Sequence, residues 1–202
     1  MKKRKLVLAL MLSLMLLVTM IPSFSFADET GGTGSGTTSP AMSGDCGATE
    51  NDHVTWKLTQ NNSDAANPTY TLTISGSGAM ADYANWTKEG VEDTRPWKDF
   101  LEDITEIKVG EGITRIGDRA FHFINKIGGE HRPAPREITI TFPETLKEFG
   151  EEACVRANIK SVDIPESVTT LGASTFYQCK NLETITGLEG AEKIGNYAFY
   201  GC

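Results

Sequence analysis

The sequence is poor in the residues from which metal centres and catalytic sites are usually built. It has three histidines and four cysteines in 202 residues. His53, His122 and His131 show neither i,i+4 spacing nor nearby cysteines, so a zinc site has little support and we expect all three at the surface. The run Ser75-Gly76-Ser77-Gly78 lacks the Gly-x-Ser-x-Gly register of a nucleophile elbow. We therefore predict a non-enzymatic protein with no metal and no cofactor.

Positive charge is also scarce, with 19 Lys and Arg against 27 Asp and Glu. Four basic residues, at positions 2–5, precede an apolar run from Leu6 to Ile21, and Ser25-Phe26-Ala27 follows. This order predicts a secretory signal peptide over residues 1–27. The run is shorter than the roughly 20 residues that span a bilayer, so we expect no membrane insertion after cleavage.

Cleavage would remove four basic and no acidic residues, which changes the formal charge from −8 to −12. Such an acidic chain is an unfavourable partner for nucleic acid or anionic lipid. Residues 28–43, which include the run GGTGSGTTSP, predict a flexible Gly/Ser/Thr linker.

A six-residue motif recurs four times in the second half of the chain. Its copies begin at Ile116, Phe149, Leu171 and Ile194, and each first residue is followed by glycine. The glycines lie 33, 22 and 23 residues apart, so two intervals share one period and the first is longer. A period in this range is typical of a solenoid.

Each repeat begins with alternating apolar residues, which predict a half-buried β-strand. A turn follows, spelled Pro-Glu at Pro143 and Pro165, because proline fixes φ and ends the hydrogen-bonded ladder. After the glycine, Ala198 and Cys202 stand four apart, a spacing that predicts a single helical turn. One unit cannot bury its own apolar side, so we expect stacked coils with a continuous core.

The repeat resembles the BspA-like leucine-rich repeats of bacterial surface and secreted proteins. The family pattern is Ile-x-Ile-Pro-x-x-Val-x-x-Ile-Gly-x-x-Ala-Phe-x-x-Cys, and the clearest copy here runs from Val162 to Cys179 as VDIPESVTTLGASTFYQC. Over residues 104–202 the resemblance implies a leucine-rich-repeat solenoid of about four coils, made of stacked short strands and single helical turns. Cys154 departs from the pattern, since it stands where the family has Phe.

Residues 44–103 predict a β-rich N-terminal capping region, because a repeat array must cover the apolar core at its ends. Strands are expected around Val54–Leu58 and Thr69–Ser75. The alternative is an independent ligand-binding module that uses Tyr83, Trp86 and Trp97, since exposed aromatic residues are common at binding sites. The absence of a linker before Ile104 favours the cap.

The four cysteines allow two interpretations. Cys179 and Cys202 occupy the same place in successive repeats, where the family resemblance implies a buried residue, so buried free thiols are favoured. A Cys179–Cys202 disulfide stays open, because adjacent coils approach within the Cα range that a disulfide tolerates. Cys46 has no evident partner, which leaves it a candidate reactive thiol.

Two surfaces are candidate binding sites. The first is the polar face of the strands, where residues between the apolar positions point outward. Its rows are Glu106, Thr139, Ser161, Thr184 and Lys108, Thr141, Asp163, Thr186. A plain solvated sheet face is an equally good interpretation of these rows.

The second is a locally basic insertion at residues 122–136, with His131, Arg132 and Arg136 as its candidate contacts. Loops on rigid scaffolds often carry recognition, but solenoids also tolerate neutral insertions.

From these features we expect a secreted or cell-surface binding module, and the family resemblance implies adhesion to a host or neighbouring-cell protein or glycan. The alternative is a structural spacer or assembly unit, as in a fragment of a longer repeat array. A further alternative to the fragment is that the apolar edge of the last coil is itself an association surface and mediates self-association.

Overall fold

The computed structural model describes residues 42–124 and 136–202. The predicted signal peptide, residues 28–41 of the predicted linker and residues 125–135 of the predicted insertion lie outside the described residues. The predictions made for them, including those for His131 and Arg132, stay predictions.

The described residues form short β-strands and two single-turn 3₁₀ helices, at Lys98–Phe100 and Leu188–Gly190. The strands are β1 (Met42–Asp45), β2 (His53–Gln60), β3 (Tyr70–Ala79), β4 (Ile104–Val109), β5 (Ile113–Ile116), β6 (Thr139–Thr141), β7 (Glu148–Phe149), β8 (Ser161–Asp163), β9 (Thr170–Leu171), β10 (Thr184–Thr186) and β11 (Lys193–Ile194).

Pairing is antiparallel from β1 to β3 and parallel from β3 onward. Each repeat contributes one strand to each of two rows. In the first row β4 pairs with β6 and β8 with β10, while the bridge Ile138–Ile159 joins the two middle coils. In the second row β5, β7, β9 and β11 pair in sequence. The predicted solenoid of stacked coils is therefore confirmed.

Strand β3 joins the N-terminal segment to both rows of the repeat. Its first half pairs with β4 and its last residues pair with β5. The change of partner occurs at Gly76 (φ 112°) and Gly78 (φ 105°). A Cβ at Gly76 would lie 1.8 Å from the carbonyl oxygen of His53, so both the backbone angle and the space require glycine there.

The core is a stack of equivalent apolar side chains, as the repeat predicts. Ile107, Ile140 and Val162 are buried beneath the first row, and Ile116, Phe149 and Leu171 beneath the second. Phe176 lies between Phe149 and Phe199, with ring centroids 5.8 Å from each. Burying one such side chain stabilises the fold by about 1.5–3 kcal/mol. Because these side chains are buried against the neighbouring coils, most of the stability depends on contacts between coils.

The segment after each motif glycine is not the predicted helical turn. It contains two tight turns, each with a left-handed residue, as at Arg119 (φ 59°) and Phe123 (φ 62°). The equivalent residues in later coils are Glu152, Arg156, Ser174, Gln178, Tyr197 and Gly201. We call residues 118–123, 151–156, 173–178 and 196–201 the turn ribbon.

In the turn ribbon every second N–H donates to the next coil. The N–H groups of Arg119, Phe121 and Phe123 reach the carbonyl oxygens of residues 151, 153 and 155 at 3.0, 2.8 and 2.8 Å. The same three bonds link the second coil to the third and the third to the fourth. In a helical turn these N–H groups would point along the helix axis. The prediction failed because their acceptors come from a neighbouring coil.

The N-terminal segment packs on the first coil through aromatic and basic side chains. Tyr83 and Trp97 are buried, with ring centroids 5.5 Å apart. Trp97 Nε1 donates to the carbonyl oxygen of Ala120 at 3.1 Å, and buried Arg95 donates to that of His122 at 2.5 Å. The interpretation of Tyr83 and Trp97 as exposed ligand contacts is therefore wrong, since both side chains fill the core.

All four cysteines are free thiols, so the disulfide alternative is not realised. Cys46, Cys154 and Cys179 are buried, whereas Cys202 is exposed, so the predicted burial is wrong for Cys202. Burial raises the pKa of Cys46 to about 12, which keeps the thiol protonated and contradicts its interpretation as a reactive group.

Equivalent phenylalanines in successive coils provide a test of the stacking. Phe176→Ala should cost about 3–5 kcal/mol because the ring is fully buried between two neighbours. Phe199→Ala should cost less than half as much, since its half-buried ring has a coil on one side. Denaturant unfolding of both variants measures the difference, and equal losses would contradict nearest-neighbour stacking.

Candidate binding surfaces

The structure brings the predicted polar rows together on one face of the first row of strands. Glu106 pairs with Thr139 and Lys108 with Thr141. In the next two coils Ser161 pairs with Thr184, and Asp163 with Thr186. Glu106 is half-buried and the other seven are exposed, while the residues between them, such as Ile140, turn inward.

Sequence reasoning missed that this face continues onto β2 and β3. Thr71 and Thr73 lie beside Glu106 and Lys108, and Thr59 and Lys57 extend the same two rows outward. The alternation in HVTWKLTQ and YTLTIS is the sequence signal that could have revealed the extension. We define the polar strand face as these twelve residues.

Charges on the polar strand face are partly neutralised within it. The Thr71 hydroxyl donates to Glu106 Oε2 at 2.7 Å, and Lys108 Nζ lies 3.0 Å from Oε1. The hydrogen bond from Thr71 and then that from Lys108 lower the pKa of Glu106. Thr186 Oγ1 donates to Asp163 Oδ1 at 2.5 Å. The face therefore presents mainly hydroxyl groups in regular rows.

Arg136, the described member of the basic insertion's candidate contacts, is held by the scaffold. Its Nη1 donates to the carbonyl oxygen of Pro68 at 2.8 Å and lies 3.7 Å from Asp103 Oδ1. Its own carbonyl oxygen accepts from Asn158 Nδ2 at 2.8 Å. These contacts fix the end of the insertion and occupy the guanidinium.

His122 is buried, so its prediction as a surface residue is wrong. It is 4% exposed and neither ring nitrogen has a hydrogen-bond partner among the described residues. Its ring packs 4.1 Å from that of Phe123 and 5.1 Å from that of Trp86. Burial, together with nearby arginines such as Arg95, lowers the pKa of His122 to about 3, so the ring is neutral at physiological pH.

A groove runs across the second row of strands, along the motif glycines. It has a volume of about 460 Å³. One wall carries Arg115, Glu148, Thr170 and Lys193 from successive strands, and the other carries the residues after the glycines, Asp118, Glu151, Ala173 and Asn196. Gly150, Gly172 and Gly195 form its floor, and we call it the glycine groove.

The floor of the glycine groove has no room for side chains. A Cβ at Gly172 would lie 2.6 Å from the backbone of Gly150, and one at Gly195 would lie 2.4 Å from the nitrogen of Ala173. The glycines therefore serve close coil-to-coil contact, and the groove is a consequence of that contact.

Arg115 closes one end of the glycine groove by binding three carboxylates. Its nitrogens lie 2.5 Å from Asp82, 2.8 Å from Asp118 and 3.0 Å from Glu148. Burial opposes the charge on Arg115, but the hydrogen bonds to Asp82 and Glu148 outweigh it and raise the pKa. For Asp82, burial is likewise outweighed by hydrogen bonds from Arg115 and the Asp118 N–H, which lower the pKa.

Within residues 42–124 and 136–202, no group of three or more His, Cys, Asp or Glu side chains is arranged to hold a metal ion. The same part of the chain contains no helix of the length and apolarity needed to cross a membrane.

Comparisons with known proteins give one family match. The family model described as "BspA type Leucine rich repeat region (6 copies)" matches residues 100–202, which are 103 of the 202 residues. No curated protein matches the chain significantly.

Three solved structures of bacterial leucine-rich repeat proteins are similar to the chain. The one from Eubacterium ventriosum ATCC 27560 is 23% identical, with a TM-score of 0.39, over 75% of this chain and 45% of its own. The one from Bacteroides ovatus ATCC 8483 is 18% identical, with a TM-score of 0.31, over 71% and 49%. A leucine rich cell surface protein from Faecalibacterium prausnitzii A2-165 is 15% identical, with a TM-score of 0.23, over 73% and 54%. The chain thus spans about half the length of each.

The buried neutral His122 predicts a specific pH dependence of stability. A histidine whose pKa falls from 6.5 to about 3 on folding contributes stability that is present above pH 6.5 and lost as pH falls toward 3. Between pH 6 and 4 the free energy of unfolding should therefore fall by roughly 2 kcal/mol more in the wild type than in His122→Leu. Urea unfolding across this range measures it, and parallel pH profiles would contradict the assignment.

Proposed function

The chain belongs to the BspA-type leucine-rich repeat family, and from this premise we propose that it is a secreted or cell-surface recognition module without catalytic activity. Its ligand is an extracellular protein or glycan of a host or neighbouring cell. The polar strand face is the proposed contact surface, since nine of its twelve residues are exposed and they lie in register on neighbouring strands.

The observation that carries the proposal is the alternation of buried and exposed residues within the strands. In β6 and β8 the central residues Ile140 and Val162 are buried, while the residues on either side are exposed. Substituting an exposed residue therefore leaves the stacked apolar core intact, so the surface residues can vary while the scaffold stays rigid. Rows of hydroxyl groups suit hydrogen bonding to sugars or to protein backbone.

The negative net charge of the chain limits the classes of ligand that it can bind. The acidic chain opposes nucleic acid and anionic lipid by long-range repulsion, and neither is included in the proposal. Neutral glycans and basic or neutral protein surfaces remain as ligand classes.

Assembly through the last coil is a second candidate function. The side chains of Ile194, Tyr197 and Tyr200 are 50%, 67% and 56% exposed. The N–H groups of Tyr197, Phe199 and Gly201, whose counterparts in earlier coils donate to a neighbour, have no acceptor among the described residues. An edge with apolar side chains and free donors favours association.

The test is a binding screen of the purified protein against extracellular-matrix proteins, mucins and a glycan array, with light scattering to report its mass. For a saturable ligand, Thr141→Lys combined with Asp163→Lys should weaken binding at least about tenfold, because a hot-spot contact is worth 1–2 kcal/mol or more. The melting curve should not change.

The matched control is Thr114→Lys combined with Glu166→Lys, which makes the same charge change at exposed positions away from the polar strand face. Its affinity should equal that of the wild type. Equal loss in both pairs would identify a general charge effect, and concentration-dependent oligomers with no saturable ligand would favour assembly instead.

A further inference from the structure

Two backbone donors in the glycine groove have no hydrogen-bond partner in the described part of the chain. The N–H groups of Ala173 and Asn196 line the part of the groove formed by β9 and β11, and neither meets an acceptor among the described residues. Lys193 extends from the neighbouring wall, and no acidic side chain pairs with it in the described structure. This part of the groove therefore offers two hydrogen-bond donors and a positive charge.

At the other end of the groove, beside Arg115, the equivalent backbone N–H groups are bound by carboxylates of the protein itself. Asp82 Oδ1 accepts from the N–H of Asp118 at 2.8 Å and from Arg115 Nη1 at 2.5 Å. One coil further, Asp118 Oδ1 accepts from the N–H of Glu151 at 2.9 Å and from Arg115 Nη2 at 2.8 Å. Each carboxylate thus joins the amide of the following coil to a cation.

The strand register makes the two ends of the groove directly comparable. Arg115 and Lys193 occupy the same position in β5 and β11, through the pairs 115–148, 148–170 and 170–193. Asp118 and Asn196 each follow the motif glycine of their coil. Asp82 lies one coil before Arg115 and Asp118, and Ala173 lies one coil before Lys193 and Asn196. Ala173 therefore occupies the position equivalent to Asp82, but its methyl group cannot accept a hydrogen bond.

We propose that the glycine groove binds a carboxylate of an extended peptide at the position that Asp82 fills elsewhere. The carboxylate accepts from the N–H of Asn196 and pairs with Lys193, in a charge-assisted contact like that of Asp82 with Arg115. The N–H of Ala173 lies one coil away, about 4.8 Å along the stack, and donates to a carbonyl oxygen of the same peptide.

The charges along the rest of the groove favour a peptide of mixed charge over a polyanionic glycan. Glu148 and Glu151 line the adjacent coil, and Glu151 is exposed with no ion-pair partner in the described structure. They would repel a second anionic group of a uronic-acid polymer, whereas a basic residue next to the acidic one would pair with them. The inference stands apart from the proposed function, because the groove shares no residue with the polar strand face.

The test is an NMR titration of the ¹⁵N-labelled protein with acetyl-Lys-Gly-Asp-amide. The amides of Ala173 and Asn196 should shift saturably, and acetyl-Lys-Gly-Asn-amide should bind at least tenfold more weakly. Lys193→Gln should weaken binding of the Asp peptide at least tenfold without changing the melting temperature. A galacturonate oligosaccharide is the third probe.

Ala173→Asp is the sharpest variant, because it supplies the missing carboxylate from within the chain. It should raise the melting temperature, slow hydrogen exchange at Asn196 and abolish peptide binding. Shifts caused by the galacturonate and not by the peptide would overturn the peptide assignment. No shift with any probe, or undiminished binding by Ala173→Asp, would overturn the site.

Discussion

The hydrogen bond from each coil's backbone to the next is the interaction on which the rest of this structure depends. The strands pair in two rows, and the turn ribbon adds three donors per coil, such as Phe121 to Ala153 at 2.8 Å. These bonds hold adjacent backbones so close that the motif positions must be glycine. A coil alone would leave both its donors and its apolar side chains without partners.

This arrangement decides which surfaces are available for recognition. Because every inward position is used for stacking, binding can involve the outward residues of the strands and the groove above the glycines. The polar strand face has rows of hydroxyl groups whose neighbours in sequence are buried. The glycine groove presents backbone amides instead, and beside its Arg115 end the amide of Asp118 and the guanidinium of Arg115 bind the carboxylate of Asp82.

The strands and the stacking of apolar residues were predicted correctly from alternation and from the repeat spacing, whereas the turns after the glycines and the contacts with distant segments were not. Inward Ile140 and outward Thr139 follow from alternation, and the stacking of Leu171 on Phe149 follows from the spacing of the glycines. The left-handed turns were missed because a four-residue spacing fits a helical turn equally well until the neighbouring coil supplies acceptors. Their residues, such as Arg119 and Glu152, carry no glycine signal.

The burial of His122 was missed for a related reason. Trp86 and Arg95, which cover it, come from the N-terminal segment, and no local pattern connects them. The contact between Asp82 and Arg115 was missed likewise, because it joins residues 33 apart in the sequence. Contacts of this kind are fixed by how the coils and the N-terminal segment pack, so a single sequence contains the residues but does not reveal which of them pair.

Native-state hydrogen exchange tests the coil-to-coil bonds most directly. We expect slow exchange at the ribbon amides of Phe121, Cys154 and Phe176, which donate to a following coil, and rapid exchange at Phe199, the equivalent position in the last coil. Equal protection at all four positions, or rapid exchange at the first three, would contradict the account.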